Sequence, residues 1–133
     1  MGKRDTVKAI YEAFGRGDVA FILRQLRDDV EWEHDAVDRG IPWILPGRGR
    51  DNVERFFGVA SSDLEPRAFE VRDLLEGEDT VAVVAAVHWI VKKTGRDLRD
   101  YEVHLWTFDR EGRVARMKHF IDTAGHLAAL RRL

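Results

Sequence analysis

The chain has 133 residues, 44% hydrophobic and 35% charged, with 22 basic side chains against 24 acidic ones and a net charge of −2. That balance fits one globular domain spanning residues 1–133 and supplies no basic excess for nucleic acid or an acidic membrane surface, so neither partner is expected. There is no cysteine, which excludes disulfides, thiol nucleophiles and thiolate metal sites; no apolar run approaches a signal-peptide core or a membrane span, and a cytoplasmic protein is expected.

Asp5 or Thr6 can cap a first helix whose apolar stripe is Val7, Ile10, Tyr11 and Phe14. Gly15-Arg16-Gly17 stops it, and Asp18 caps a second helix with Val19, Ile22, Leu23 and Leu26 on one face. So short a link makes the two double back on each other. Val30–His34 reads as a short strand, with Val30, Trp32 and His34 on one face and Glu31 and Glu33 on the other. Residues 35–49 carry two prolines and three glycines, yet Ile41, Trp43, Ile44 and Leu45 are too apolar for a free loop. This is expected to be a packed loop over the interior, with Ile41–Leu45 serving as a lid. Asp51 caps a third helix over 52–60 with Val53, Phe56 and Phe57 inward; 61–66 is a turn, and four strands follow over 65–76, 80–93, 99–108 and 113–122, joined by hairpins. Asp122 or Thr123 caps a last helix ending LAALRRL. The order ααβαββββα, helices followed by an antiparallel meander, is an α+β pattern.

Arg99–Phe108 (RDYEVHLWTF) is the central strand. Asp100, Glu102, His104, Trp106 and Phe108 share one face; Tyr101, Val103, Leu105 and Thr107 share the other. Both faces carry large apolar groups, so His104 points with Glu102 and Trp106 into a largely apolar interior. A titratable side chain there is a hydrogen-bonded core group or a site.

The helix pair VKAIYEAFGRGDVAFILRQL running into DDVEWEH, then GRGRDNVERFF, the hairpin VHLWTFDREGRV and the strand end FIDT resemble the SnoaL-like group of the nuclear transport factor 2-like superfamily over nearly the whole chain. The resemblance implies a cone: a strongly curved, mixed but mainly antiparallel sheet wrapped around the N-terminal helices, enclosing a pocket, with homodimers formed through the outer sheet face. Tyr101, Val103, Leu105, Val81 and Val83, apolar side chains on a sheet face without helix cover, are the candidate contacts. Members include ketosteroid isomerases, polyketide cyclases, dehydratases, epoxide hydrolases and plain binding or dimerisation modules. Laid on the ketosteroid isomerase pattern, the general base falls at His34, the oxyanion-hole aspartate at His104 and the catalytic tyrosine at Ile10, with Tyr11 one residue away. All three identities differ from that isomerase. The overlay also turns His119 inward and His88 outward.

Imidazole exchanges protons near neutral pH, so His34 as base and His104 as acid or oxyanion donor form the main catalytic pair, a plan that resembles some dehydratases of the superfamily. Glu102 and Tyr11 are the supporting residues. The bland alternative is two core histidines satisfied by neighbours such as Glu102 or a backbone carbonyl; Glu102 itself could be a rim carboxylate paired to Arg99. Trp32, Trp43, Trp89, Trp106, Phe56 and His119 are the candidate substrate-binding residues, an apolar lining suited to a small hydrophobic molecule. His34, His104 and His119 invite a metal, but no HxH or HxxxH pair preorganises one, and no metal or other cofactor is expected. Two functions remain open: a small-molecule isomerase, cyclase or dehydratase working by proton transfer, and a non-catalytic ligand-binding or dimerisation module.

Overall fold

The computed structural model describes residues 2–131; Met1, Arg132 and Leu133, the last two expected in the terminal helix, lie outside the described residues. The elements are α1 (Lys3–Gly15), α2 (Val19–Arg24), β1 (Leu26–Trp32), β2 (Gly47–Arg48), α3 (Arg50–Asp63), β3 (Leu64–Glu76), β4 (Thr80–Val91), β5 (Arg96–Phe108), β6 (Val114–Phe120) and α4 (Thr123–Leu130). One six-stranded sheet has the order β2-β1-β6-β5-β4-β3. All its pairs are antiparallel except β1 with β6, so the first and last full strands lie side by side. This is the α+β cone expected.

Several boundaries differ from the sequence reading. The first helix starts earlier, after Gly2, without a side-chain cap. The third begins at Arg50 with Asp51 inside its first turn, and runs to Asp63 directly into β3, so no turn occupies 61–66. Asp18 and Asp122 do cap their helices, through Phe21 N (3.0 Å) and Gly125 N (3.1 Å). Each satisfies one of the free amides at a helix start.

Two apolar clusters hold the cone. The larger joins Val7, Ile10, Ile22, Val30, Trp32 and Val53 to Val81, Val83, Trp106 and Met117 of the sheet. Val81 and Val83 are fully buried on the inner face, not on the outer face where the dimer contacts were expected. Their register explains it: Val81 pairs with Trp106 and Val83 with His104, and paired residues share a face. The second cluster brings Ile41 and Trp43 together with Leu64, Val91, Leu98 and Ala129. The 35–49 segment is therefore packed, as expected, but its Ile41–Leu45 part is anchored by Ile41 and Trp43, and its exposed stretch is residues 37–40.

Candidate functional site

The inner face of β5 presents Asp100, Glu102, His104 and Trp106 in sequence. Across from it on β6, His119 pairs with His104. Their rings meet edge to face with centroids 4.3 Å apart. From α1, Tyr11 reaches the same point: its hydroxyl lies 2.6 Å from His104 Nδ1 and accepts from Trp106 Nε1 at 3.1 Å. One residue past the overlay position, Tyr11 does turn toward the sheet, while Ile10 joins the core.

Two imidazoles thus stand together, each with its own carboxylate. His104 Nε2 is 2.9 Å from Glu102 Oε1. His119 Nδ1 is bonded to Glu33, which is completely buried. The sequence reading placed Glu33 outside and missed it. Glu33 has φ 54° and Asp35 has φ 60°, both in the left-handed region. β1 ends at Trp32, and this reversal swings the next carboxylate inward under β6. Non-glycine residues rarely adopt that backbone, so strand alternation could not signal it.

The same reversal displaces His34. It leaves the strand in the turn, with Nδ1 3.3 Å from Asp35. Among the described residues His104 is bonded to Tyr11 and Glu102 and its ring meets His119, whereas His34, expected to share its cavity, is bonded to Asp35. His34 Nε2 and Trp32 Nε1 are buried without a hydrogen-bond partner. Of the other expected lining residues, Trp32 and Phe56 pack on His119 (6.4 and 5.7 Å between centroids), and Trp106 holds Tyr11. Trp89 sits one layer back, against Phe14 and Phe69. Trp43 belongs to the second cluster, where Nε1 donates to His126 Nδ1 at 3.1 Å. His126 and Asp100, neither singled out in the sequence, continue the network: His126 Nε2 is 2.9 Å from Asp100 Oδ2 and 3.6 Å from Glu102 Oε2.

A cavity of about 300 Å³ opens beside this pair, lined by Val37, Arg39, Ile41 and Ile44 of the loop, by His119 and by Ile121. A larger one of about 470 Å³, between the β4–β5 turn and α4, is lined by Thr94, Arg96, Asp97, Gly125, Ala128 and Ala129, with no histidine in its wall. The smaller cavity is the one at the chemistry, because His119 forms part of it.

The electrostatics separate the two imidazoles. Burial, and then the charge on His119, hold His104 below the ordinary histidine pKa, with Glu102 opposing. Burial alone would lower His119 too, but the charge of Glu33 and its hydrogen bond outweigh that and raise it. Burial would raise Glu102; the hydrogen bond from His104 and the charge of His119 overcome it and hold its pKa down. Burial drives the Tyr11 hydroxyl well above its ordinary range, so it remains a protonated donor.

Glu102, His104 and His119 bring ligand atoms within 4.8 Å of one another, the donor set of a two-histidine, one-carboxylate metal site. Bond polarity speaks against it. Ionised Glu102 can only accept, so neutral His104 gives it the Nε2 proton, and Nδ1 accepts the Tyr11 hydroxyl proton. Neutral His104 then carries its proton on Nε2 and offers Glu102 an N–H, not the lone pair a metal needs.

The SnoaL-like domain family matches residues 7–117. The chain belongs to that family. Among solved structures, an NTF2-like protein of unknown function from Burkholderia pseudomallei K96243 is 26% identical over 98% of both chains, with a TM-score of 0.85. TerC, co-crystallised with polyporic acid, is 24% identical over 96% of both chains, with a TM-score of 0.81. An LEH-like epoxide hydrolase of M. tuberculosis is 13% identical over 96% of this chain and 88% of its own, with a TM-score of 0.71. The last two likenesses show the SnoaL-like cone alone. No curated protein matches the chain.

Proposed function

We propose that this SnoaL-like protein is a small-molecule enzyme of the isomerase, cyclase or dehydratase kind, moving protons on a hydrophobic ring or carbonyl compound without a cofactor. The observation that carries this is the His104–His119 pair: two touching imidazoles, each tied to a separate buried carboxylate, with pKa values pushed in opposite directions. Titratable neighbours driven apart are how one site holds an acid and a base at one pH. His119, with Glu33 fixing its Nδ1, is the proton-exchanging group at the cavity, and neutral His104 sits behind it as its counterpart. Trp32 Nε1 and His34 Nε2 are buried without a partner and neither residue lines the cavity, so the reading rests on His119 and His104. TerC holding a small organic acid in the same fold supports a small-molecule ligand. A homodimer through the outer sheet face completes the reading.

The test is deuterium exchange from D2O into a panel of cyclic ketones and enones, read by mass spectrometry. Wild-type protein should catalyse exchange or turnover of at least one compound. His119→Gln should lower the rate by about 10²–10⁴, the usual worth of a positioned acid or base. Tight binding with no exchange or turnover in any compound would favour the binding-module reading.

A further inference from the structure

The cavity beside His119 has walls of two kinds. Val37, Ile41, Ile44 and Ile121 are apolar, and a volume of about 300 Å³ is at the low end for ligand pockets, so the molecule it takes is small and largely hydrophobic. Four charged or titratable residues also line it: Asp35, Arg39, Lys118 and His119. Their balance is positive. Asp35, the single carboxylate among them, faces His34 Nδ1 at 3.3 Å. Asp38, the other acid of the loop, accepts from Gly40 N at 2.9 Å. Glu33 stands behind His119, bonded to its Nδ1 and completely buried. Among the described residues, Arg39 and Lys118 are therefore in no ion pair, and Lys118 Nζ rests over the Phe120 ring, 5.3 Å from its centroid. The positive groups are graded by depth. Arg39 is exposed and Lys118 half-buried, whereas the His119 side chain is only 12% exposed.

We propose that the ligand of this cavity is a small organic acid, with a carboxylate met by Arg39 and Lys118 at the mouth and an apolar ring that reaches inward to His119. The inference rests on the proposed function for the identity of the site and names the class of molecule it takes. A neutral hydrophobic compound gains nothing from two cations at the mouth. An acid gains a charge-assisted hydrogen bond at a guanidinium whose planar fork matches a carboxylate. At an exposed mouth that attraction is screened and modest, so the ring supplies most of the affinity and the acid group supplies the orientation. The reverse orientation would bring the carboxylate toward Glu33, a like charge fully buried behind His119. Glu33 holds His119 Nδ1, which leaves Nε2 as the ring nitrogen for the ligand. The position that exchanges its proton with His119 then lies at the end of the ring remote from the carboxylate.

Calorimetric titration of the full chain with benzoate, cinnamate and naphthoate, each against its own amide, tests this. At least one acid should bind about tenfold or more tighter than its amide at low ionic strength, and the margin should narrow at about 0.5 M salt. An Arg39→Met, Lys118→Met double variant should lose the margin between acid and amide. Its affinity for the amide should stay within about twofold of wild type, which shows the cavity intact. An amide that binds as tightly as its acid would overturn the proposal. So would a margin that survives in the double variant, or the absence of acid binding across the whole panel. Deuterium exchange into neutral ketones can succeed while no acid binds, which would end this inference and leave the proposed function standing. Acids that bind with the expected margin but undergo no exchange, in a protein that exchanges no ketone either, would do the reverse.

Discussion

His104 and His119 are close enough that neither titrates alone, and their protons should come on in two steps belonging to the pair. NMR titration should place the His119 step above the ordinary value of about 6.5 and the His104 step below it. The signs for stability then differ. His104, depressed on folding, imposes nothing above about pH 6.5; as pH falls, the unfolded chain binds the proton first and stability drops until the folded pKa is passed. His119, raised on folding, gives stability that is complete below about pH 6.5 and is lost as pH rises through its folded pKa. Glu33→Gln removes the carboxylate partner of buried His119 and should cost about 3 kcal/mol near pH 6 by denaturant unfolding. The cost should shrink as pH rises through the raised folded-state pKa of His119. A cost that does not change with pH would mean that Glu33 serves packing alone.

At the scale of elements, alternation was legible wherever the chain stayed extended. Glu102, His104 and Trp106 on one face of β5 follow directly from period two, and the His119–His104 register follows from the hairpin between their strands. Alternation failed at the end of β1, where left-handed Glu33 and Asp35 turn Glu33 fully inward while His34 stays mostly buried. Asp35 is of a type that visits the left-handed region, but glutamate is not, and Glu33 carries the reversal with no glycine to mark it. The 35–49 segment is packed, as its apolar residues predict, and the structure sets its buried and exposed parts apart. Ile41 and Trp43 are held in the second cluster, whereas Val37 is 62% exposed over the cavity. Hydrogen exchange should therefore be fast at 37–39 and slower at Ile44, whose N–H donates to Ile41 O. Ligand binding should slow the first stretch and leave Ile44 unchanged; fast exchange at Ile44 that slows on binding would support the Ile41–Leu45 lid.

At the scale of the molecule, the helices fill the inside of the cone and, among the described residues, leave the outer face of β4, β5 and β6 without a cover. Val84, Val103 and Leu105 are half-buried there, and Tyr101 and Phe120 are 69% and 48% exposed. We propose that a second copy, related by a two-fold axis, covers this face. Sedimentation should show a homodimer at micromolar concentration, and a Tyr101→Lys, Leu105→Lys double variant should sediment as a monomer; a wild-type monomer would remove the assignment. The parallel seam between β1 and β6 also dictates when the site comes into being. Glu33 and His119 lie 86 positions apart, and Tyr11 and His104 lie 93 apart. Closing a loop that long costs about 4 kcal/mol of chain entropy in its length-dependent part alone, so such contacts form late. A nascent chain still lacking its last strand can form its helices and first hairpins, but it holds a carboxylate with no imidazole to receive, and chemistry becomes available only once the two ends of the sequence have met.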